Sequence, residues 1–100
     1  MIKLTVIYGH PESPGEFEKY YKETHLPIAA KMPGVHHMEV TRFVPGPDGS
    51  PPAHYRMAEI YFENEDKMKT SLSSEESQAT ASDLPNFASG GVTMSVGIIE

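Results

Sequence analysis

The sequence contains no cysteine. Disulfides, thiolate nucleophiles and thiolate-ligated metals all require that residue, so each is excluded. Cations are also scarce: eight Lys and Arg are scattered singly among 100 residues, and the formal net charge is -6. Because nucleic-acid binding needs clustered cations, we expect no nucleic-acid partner.

Long apolar runs are missing as well. No stretch approaches the roughly 20 apolar residues that span a bilayer, and the first residues, MIKLTVIYGH, lack the pattern of a signal peptide. We therefore expect no membrane partner and a cytoplasmic location. Hydrophobic residues form 38% of the chain and charged residues 22%, which is typical of a folded protein. The length fits one domain, residues 1–100.

Alternation of apolar and polar residues predicts four strands, over residues 2–8, 35–44, 54–62 and 92–99. Between the second and third strands, residues 45–52 are almost all turn formers. These two strands should therefore form a hairpin with a long, exposed tip.

Two helical regions lie between the strands. Ser13 and Glu16 have the spacing of a capping box, and Pro14 suits the first helical position. The apolar face that follows predicts a helix from about Pro14 to residue 32. Pro27 lacks an amide hydrogen, so this helix should kink or loosen there. Asn64 should cap a second helix. Ser73 has the spacing to cap a further helical stretch over residues 74–82.

The order β-α-β-β-α-β predicts an α+β, ferredoxin-like fold: a four-stranded antiparallel sheet with two main helices on one face. Large apolar residues occur on both sides of the strands, as in the pairs Tyr61 and Phe62 or Ile98 and Ile99. Helices cover only one sheet face, so we expect an identical subunit to cover the other and predict a homodimer.

His25 is the strongest candidate for chemistry, because imidazole titrates near neutral pH and this one lies on the packed face of the first helix, one turn after Tyr21. The alternative is a buried histidine whose ring nitrogens are satisfied by neighbours.

The other histidines carry no predicted role. His36 and His37 are adjacent on a predicted strand, so we expect them to point to opposite faces and not to share a metal ion. His10 and His54 stand at strand ends, where a histidine is commonly solvated. No metal site is predicted.

Three strand tyrosines, Tyr8, Tyr55 and Tyr61, could hydrogen-bond a polar ligand, with cross-strand packing as the alternative. Arg56 is explained by surface ion pairing. The methionines suit either an adaptable apolar pocket or a core.

The chain resembles the EthD family along its whole length. The residues that carry the resemblance are Tyr8-Gly9-His10-Pro11, Phe17, Tyr20-Tyr21, Thr24-His25-Leu26-Pro27-Ile28-Ala29, Phe62, Ser73-Ser74-Glu75-Glu76, Asp83 and Asn86-Phe87. The resemblance implies a dimeric α+β barrel in which the family's characteristic histidine is His25. It also implies that Asp83 and Phe87 line or support the same cavity, which we expect Tyr8, Tyr21 and Tyr61 to help form as ligand-binding residues.

EthD-type proteins are associated with oxidative degradation of ethers, and fungal relatives act in polyketide tailoring. The resemblance thus implies a cofactor-independent enzyme or accessory component that binds a small apolar organic molecule between sheet and helices, with His25 as acid or base. Oxidoreductase-associated and lyase-type chemistry both fit, since fold does not fix reaction. One alternative is a non-catalytic, small-molecule-binding or stress-type homodimer. A haem ligated by a histidine is another, and a visible absorption spectrum would detect it.

Overall fold

The computed structural model describes residues 1–100. Its elements, in order, are β1 (Ile2–Tyr8), α1 (Pro14–Tyr20), a π-helical turn (Tyr21–His25), α2 (Leu26–Ala29), β2 (His37–Arg42), β3 (Arg56–Phe62), α3 (Glu65–Leu72), α4 (Glu75–Asp83), a 3-10 turn (Leu84–Asn86) and β4 (Val92–Ile98). The predicted β-α-β-β-α-β order is confirmed. No helix in the chain combines the length and the apolar character that crossing a membrane requires.

The four strands form one antiparallel sheet in the order β2-β3-β1-β4. Ile2 in β1 stands opposite Phe62 in β3 and Ile98 in β4. This is the ferredoxin-like arrangement that the sequence predicted. Along β1 and β3, alternate side chains are buried, which identifies the face that the helices cover.

The first helix loosens one turn before the proline that disturbs it. Because Pro27 has no amide hydrogen, no hydrogen bond can return from it to Glu23, and the amide of Leu26 donates instead to the carbonyl of Tyr21, five residues back. The predicted capping box is wrong here: Ser13 occupies the N-cap position of α1, but its side chain makes no capping hydrogen bond.

The two later helices begin at capped residues. Asn64 accepts a hydrogen bond from the amide of Lys67, as predicted. The cap of α4 is one residue later than predicted: Ser74, not Ser73, accepts from the amide of Ser77. The capping-box spacing at Ser73 was therefore coincidental.

Exposed apolar surface lies in a different place from the one that the sequence predicted. The helices cover β1 and β3 but leave the same face of β4 open, so its apolar side chains are 37% to 77% exposed: Val92, Met94, Val96 and Ile98. The sheet face opposite the helices is mixed, with Lys3 paired to Glu59 beside Tyr61. We call the four β4 residues the β4 stripe.

A close backbone contact joins the end of β1 to the segment before β4. A Cβ atom on Gly90 would lie 2.3 Å from the carbonyl oxygen of His10, and one on Gly9 would lie 2.2 Å from the oxygen of Gly90. Both positions therefore require glycine. This contact brings the segment that contains Phe87 against the end of β1.

Candidate functional site

A cavity of about 280 Å³ lies between the sheet and the helices, and 14 of its 18 lining residues are hydrophobic. Its apolar walls include Leu4, Val6, Leu26, Ala29, Met32, Met38, Ala58, Ile60, Leu72, Leu84 and Met94. A cavity with this lining suits an apolar molecule. Met94 also belongs to the β4 stripe, so the cavity adjoins the exposed apolar surface.

The π-helical turn supplies two of the polar side chains that line the cavity. Tyr21 and His25 are its first and last residues, and their rings stack at a centroid distance of 5.7 Å and an interplanar angle of 18°. Both residues are buried: Tyr21 is 0% exposed and His25 is 4% exposed. The helix irregularity therefore sets the orientation of both rings.

Asp83, the last residue of α4, holds the imidazole in place. Nδ1 of His25 lies 2.9 Å from Oδ2 of Asp83. The other carboxylate oxygen, Oδ1, accepts hydrogen bonds from the hydroxyl of Tyr20 at 2.6 Å and from the side-chain amide of Asn86 at 2.9 Å. Burial alone would raise the pKa of Asp83, but the hydrogen bonds from Tyr20, Asn86 and His25 hold it below its usual value.

This arrangement fixes the tautomer of the neutral imidazole. An ionised carboxylate can only accept hydrogen bonds, so Nδ1 of His25 must carry the hydrogen that it donates to Asp83. Nε2 then has a lone pair and makes no hydrogen bond within the protein. A nitrogen in this state, on a ring that lines an apolar cavity, can accept a proton from a bound molecule.

Aromatic rings surround the stacked rings of Tyr21 and His25. The ring of Phe87 lies 4.5 Å from that of His25 and 5.8 Å from that of Tyr21, and Tyr8 packs edge-on against Tyr21. Tyr8 lines the cavity, whereas Phe87 supports His25 from outside the cavity lining. Burial raises the pKa of Tyr21 to about 12, against the opposing effect of Arg56, and burial also raises the pKa of Tyr8 well above its usual value. Both phenols therefore stay protonated near neutral pH.

The structure brings together most of the residues predicted for the site: Tyr8, Tyr21, His25, Asp83 and Phe87. Tyr61 is the exception, and its predicted place in this cavity is wrong. Strand alternation puts it on the opposite sheet face, where its ring stacks on His37 at 4.1 Å.

A second correction concerns the adjacent histidines. His36 precedes β2 instead of lying in it, and its Nδ1 atom lies 2.8 Å from Nδ1 of His37, so the two side chains do not diverge as predicted. The chain contains no group of three His, Asp or Glu side chains placed to hold a metal ion.

Sequence reasoning missed three residues near the site. Tyr20 and Asn86 bind the carboxylate of Asp83, and Ser77 in α4 lines the cavity. The dipeptide Tyr20-Tyr21 was a usable signal, because neighbouring side chains on a helix point about 100° apart and can contact different partners.

Arg56 was also misread as a surface ion pair. It is 6% exposed, forms a two-pronged contact with Glu18 at 3.0 and 2.7 Å, and lies 4.8 Å from the ring centroid of Tyr21. The hydrogen bonds from Arg56 lower the pKa of Glu18, although burial opposes them. The pair ties α1 to the start of β3 behind Tyr21.

Comparisons with known proteins identify relatives of this chain in sequence and in structure. The family model described as the EthD domain matches residues 9–91. An uncharacterised 11.0 kDa protein from the thcB–thcC intergenic region of Rhodococcus erythropolis is 39% identical over 98 residues, which cover 94% of this chain and 90% of that protein. The crystal structure of an EthD family protein from Bacillus halodurans is 32% identical, with a TM-score of 0.92 over 100% of this chain and 99% of that one.

More distant structures share the fold alone. A dimeric protein of unknown function with a ferredoxin-like fold, from Bacteroides fragilis, has a TM-score of 0.68 at 16% identity and covers 98% of this chain and 95% of its own. SnoaB, a cofactor-independent oxygenase from Streptomyces nogalater, has a TM-score of 0.65 at 16% identity, covering 98% of this chain and 90% of that one. The fold is thus shared with a protein that carries out oxygenation without a cofactor.

Proposed function

Because this chain belongs to the EthD family, we propose that it binds a small, largely apolar organic molecule between sheet and helices, where His25 acts as acid and base without a cofactor. The protein then serves as an enzyme, or as an accessory component, in the oxidative degradation or tailoring of such molecules. The shared fold with a cofactor-independent oxygenase supports this proposal.

One observation carries the proposal: a buried imidazole lines an apolar cavity and is held from behind by a carboxylate. Asp83 orients the ring and fixes its tautomer, and it stabilises the imidazolium that forms when Nε2 takes a proton. Tyr8 and Tyr21 contact the ligand, and Phe87 supports the imidazole.

The proposal extends to the oligomer: residues 1–100 act as a single domain that pairs with a second copy. The β4 stripe supports pairing, since exposed apolar side chains along one strand commonly mark an interface. The likeness to a dimeric protein of the same fold points the same way. Because Met94 belongs to both the stripe and the cavity lining, a subunit on the stripe would also cover one side of the cavity.

The second candidate is a non-catalytic homodimer that binds a small molecule. It is favoured by the scarcity of titratable groups in the cavity. Besides His25, the titratable lining residues are Tyr8 and Tyr21, whose raised pKa values make them poor acids.

Hydrogen–deuterium exchange of an apolar carbon acid separates the two candidates. The probe is 2-tetralone in D2O, whose C1 hydrogens exchange when a base removes one of them, a reaction that needs no cofactor or oxidant. The native protein should accelerate exchange, and His25→Ala should lose about 10²-fold of that acceleration. His36→Ala, an exposed histidine away from the cavity, is the matched control.

Each result decides between the proposals. Unchanged acceleration in a folded His25→Ala variant rules out the acid–base role. Binding of 2-tetralone without acceleration by the native protein favours the non-catalytic candidate. The readout is the loss of the C1 proton signal in NMR spectra recorded over time.

A further inference from the structure

Two buried hydroxyl groups on the cavity wall have no hydrogen-bond partner in the protein: those of Tyr21 and Ser77. Tyr21 is 0% exposed and Ser77 is 6% exposed. The nearby phenol of Tyr8 acts as a donor towards the oxygen of Tyr21, which opposes the burial that raises the pKa of Tyr21, but it supplies no acceptor for the hydrogen of Tyr21. A buried, unpaired hydroxyl destabilises a folded protein, so each needs an explanation, and a polar atom of a bound molecule is one.

The hydroxyl of Tyr21 is a donor. Because burial raises its pKa to about 12, it keeps its hydrogen at neutral pH and needs an acceptor oxygen opposite it. The neighbouring Nε2 of His25 is an acceptor, so its lone pair needs a hydrogen opposite it. The two rings belong to one π-helical turn and stack at 5.7 Å, so a single molecule can meet both needs only if its oxygen and its acidic hydrogen are close together.

The charged side chains near the cavity limit the charge that a ligand can carry. Arg56 approaches the ring of Tyr21, but its guanidinium is bound to Glu18 and does not line the cavity. No lysine or arginine side chain therefore lines the cavity to neutralise a carboxylate, and the carboxylate of Asp83 stands behind His25. A ligand should reach this site uncharged.

We propose that the ligand is an uncharged, mainly apolar carbonyl compound with an acidic C–H on the carbon beside the carbonyl group, and that Tyr21 is a second catalytic residue. This inference rests on the proposed function and names its substrate class. Nε2 of His25 takes the proton from the carbon beside the carbonyl, the electron pair of the broken C–H bond forms a C=C bond to the carbonyl carbon, and the π electron pair of the C=O bond moves to the oxygen. The hydroxyl of Tyr21 donates a hydrogen bond to that oxygen as its negative charge develops. Return of the proton regenerates the ketone.

The test compares Tyr21→Phe with the native protein in the 2-tetralone exchange reaction. Removing a donor to a developing oxyanion should lower kcat about 10²-fold, with a much smaller change in KM. Tyr61→Phe, the matched control, removes a phenol hydroxyl on the opposite sheet face, outside the cavity lining. That control should change kcat less than threefold.

Binding of three related molecules supplies a measurement that does not depend on turnover. Tetralin has the apolar body without oxygen, 2-tetralone adds the carbonyl group, and tetralin-2-carboxylate adds a charge. The native protein should bind 2-tetralone at least fivefold more tightly than tetralin and should bind the carboxylate weakest. Tyr21→Phe should remove the preference for 2-tetralone and leave tetralin binding unchanged.

The outcomes separate this inference from the proposed function. If His25→Ala loses exchange but Tyr21→Phe keeps it, or if tetralin and 2-tetralone bind equally, the carbonyl inference is wrong and the acid–base role of His25 stands. If neither variant changes exchange, both are wrong.

Discussion

Nδ1 of His25 and Oδ2 of Asp83 lie 2.9 Å apart although 58 positions separate them in the sequence. The contact joins the π-helical turn to the end of α4. It decides which ring nitrogen carries a hydrogen, and so which one is free to act on a molecule in the cavity.

Asp83→Asn should reverse the tautomer of His25. Tyr20 and Asn86 both donate to Oδ1, so the amide oxygen of an asparagine would take that place and its NH2 group would face His25. Nδ1 would then accept a hydrogen bond, and Nε2 would carry the hydrogen. Long-range 1H–15N NMR spectra should show protonated Nδ1 in the native protein and protonated Nε2 in the variant, with loss of 2-tetralone exchange.

Asp48→Asn is the control for this substitution, since Asp48 lies in the exposed hairpin tip and bonds only to Ser50. It should leave the spectrum of His25 unchanged. The same tautomer in native protein and Asp83→Asn would contradict the orienting role of Asp83.

Loss of the hydroxyl group should change the free energy of unfolding differently at the adjacent residues Tyr20 and Tyr21. Tyr20→Phe removes a hydrogen bond to an ionised carboxylate and should lower the free energy of unfolding. Tyr21→Phe removes a hydroxyl that has no partner and should leave that free energy unchanged or raise it by up to about 1 kcal/mol. Urea denaturation without ligand measures both, and a loss above about 1 kcal/mol in Tyr21→Phe would show that its hydroxyl is satisfied within the protein.

Acid should destabilise the protein through two carboxylates. Hydrogen bonds in the folded state lower the pKa values of Asp83 and Glu18 below their ordinary values of 3.8 and 4.5, in each case against the opposing effect of burial. The unfolded state therefore binds protons first, so this stabilisation is present above about pH 4.5 and is lost as the pH falls through the folded-state values.

The free energy of unfolding should thus fall as the pH drops below about 4.5. Glu18→Gln and Asp83→Asn should each make that fall shallower, because each removes one of the two titrations. Urea midpoints measured at several pH values give the slopes. A variant as steep as the native protein would show that its carboxylate does not contribute.

The β4 stripe should be an interface between two copies of the chain. Val96→Glu places a charge on the stripe, where Val96 is 53% exposed, and should raise the dimer dissociation constant at least tenfold. Ser95→Glu puts the same charge on the opposite face of the same strand and is the control. Sedimentation equilibrium measures both, and equal dissociation constants would place the interface elsewhere.

Local patterns in the sequence predicted the strands and the second helical region because these depend on alternation and capping. The same alternation predicts the correct position of Tyr61. It lies between the buried Ile60 and Phe62 in β3, so its side chain points to the opposite sheet face. Contacts across long sequence separations could not be derived in this way. The hydrogen bonds of Asp83 depend on where α4 ends, and the exposure of the β4 stripe depends on how far the helices extend across the sheet.

Methyl NMR of methionine-labelled protein tests most directly whether an apolar carbonyl compound enters the cavity beside His25. Three methionines line the cavity (Met32, Met38 and Met94), while Met57 and Met68 do not. Addition of 2-tetralone should give saturable shifts in the first three methyl signals and in the Cε1–H signal of His25, and should leave Met57 and Met68 unchanged. Shifts that extend to Met57 and Met68, or no shift at His25, would contradict binding in this cavity.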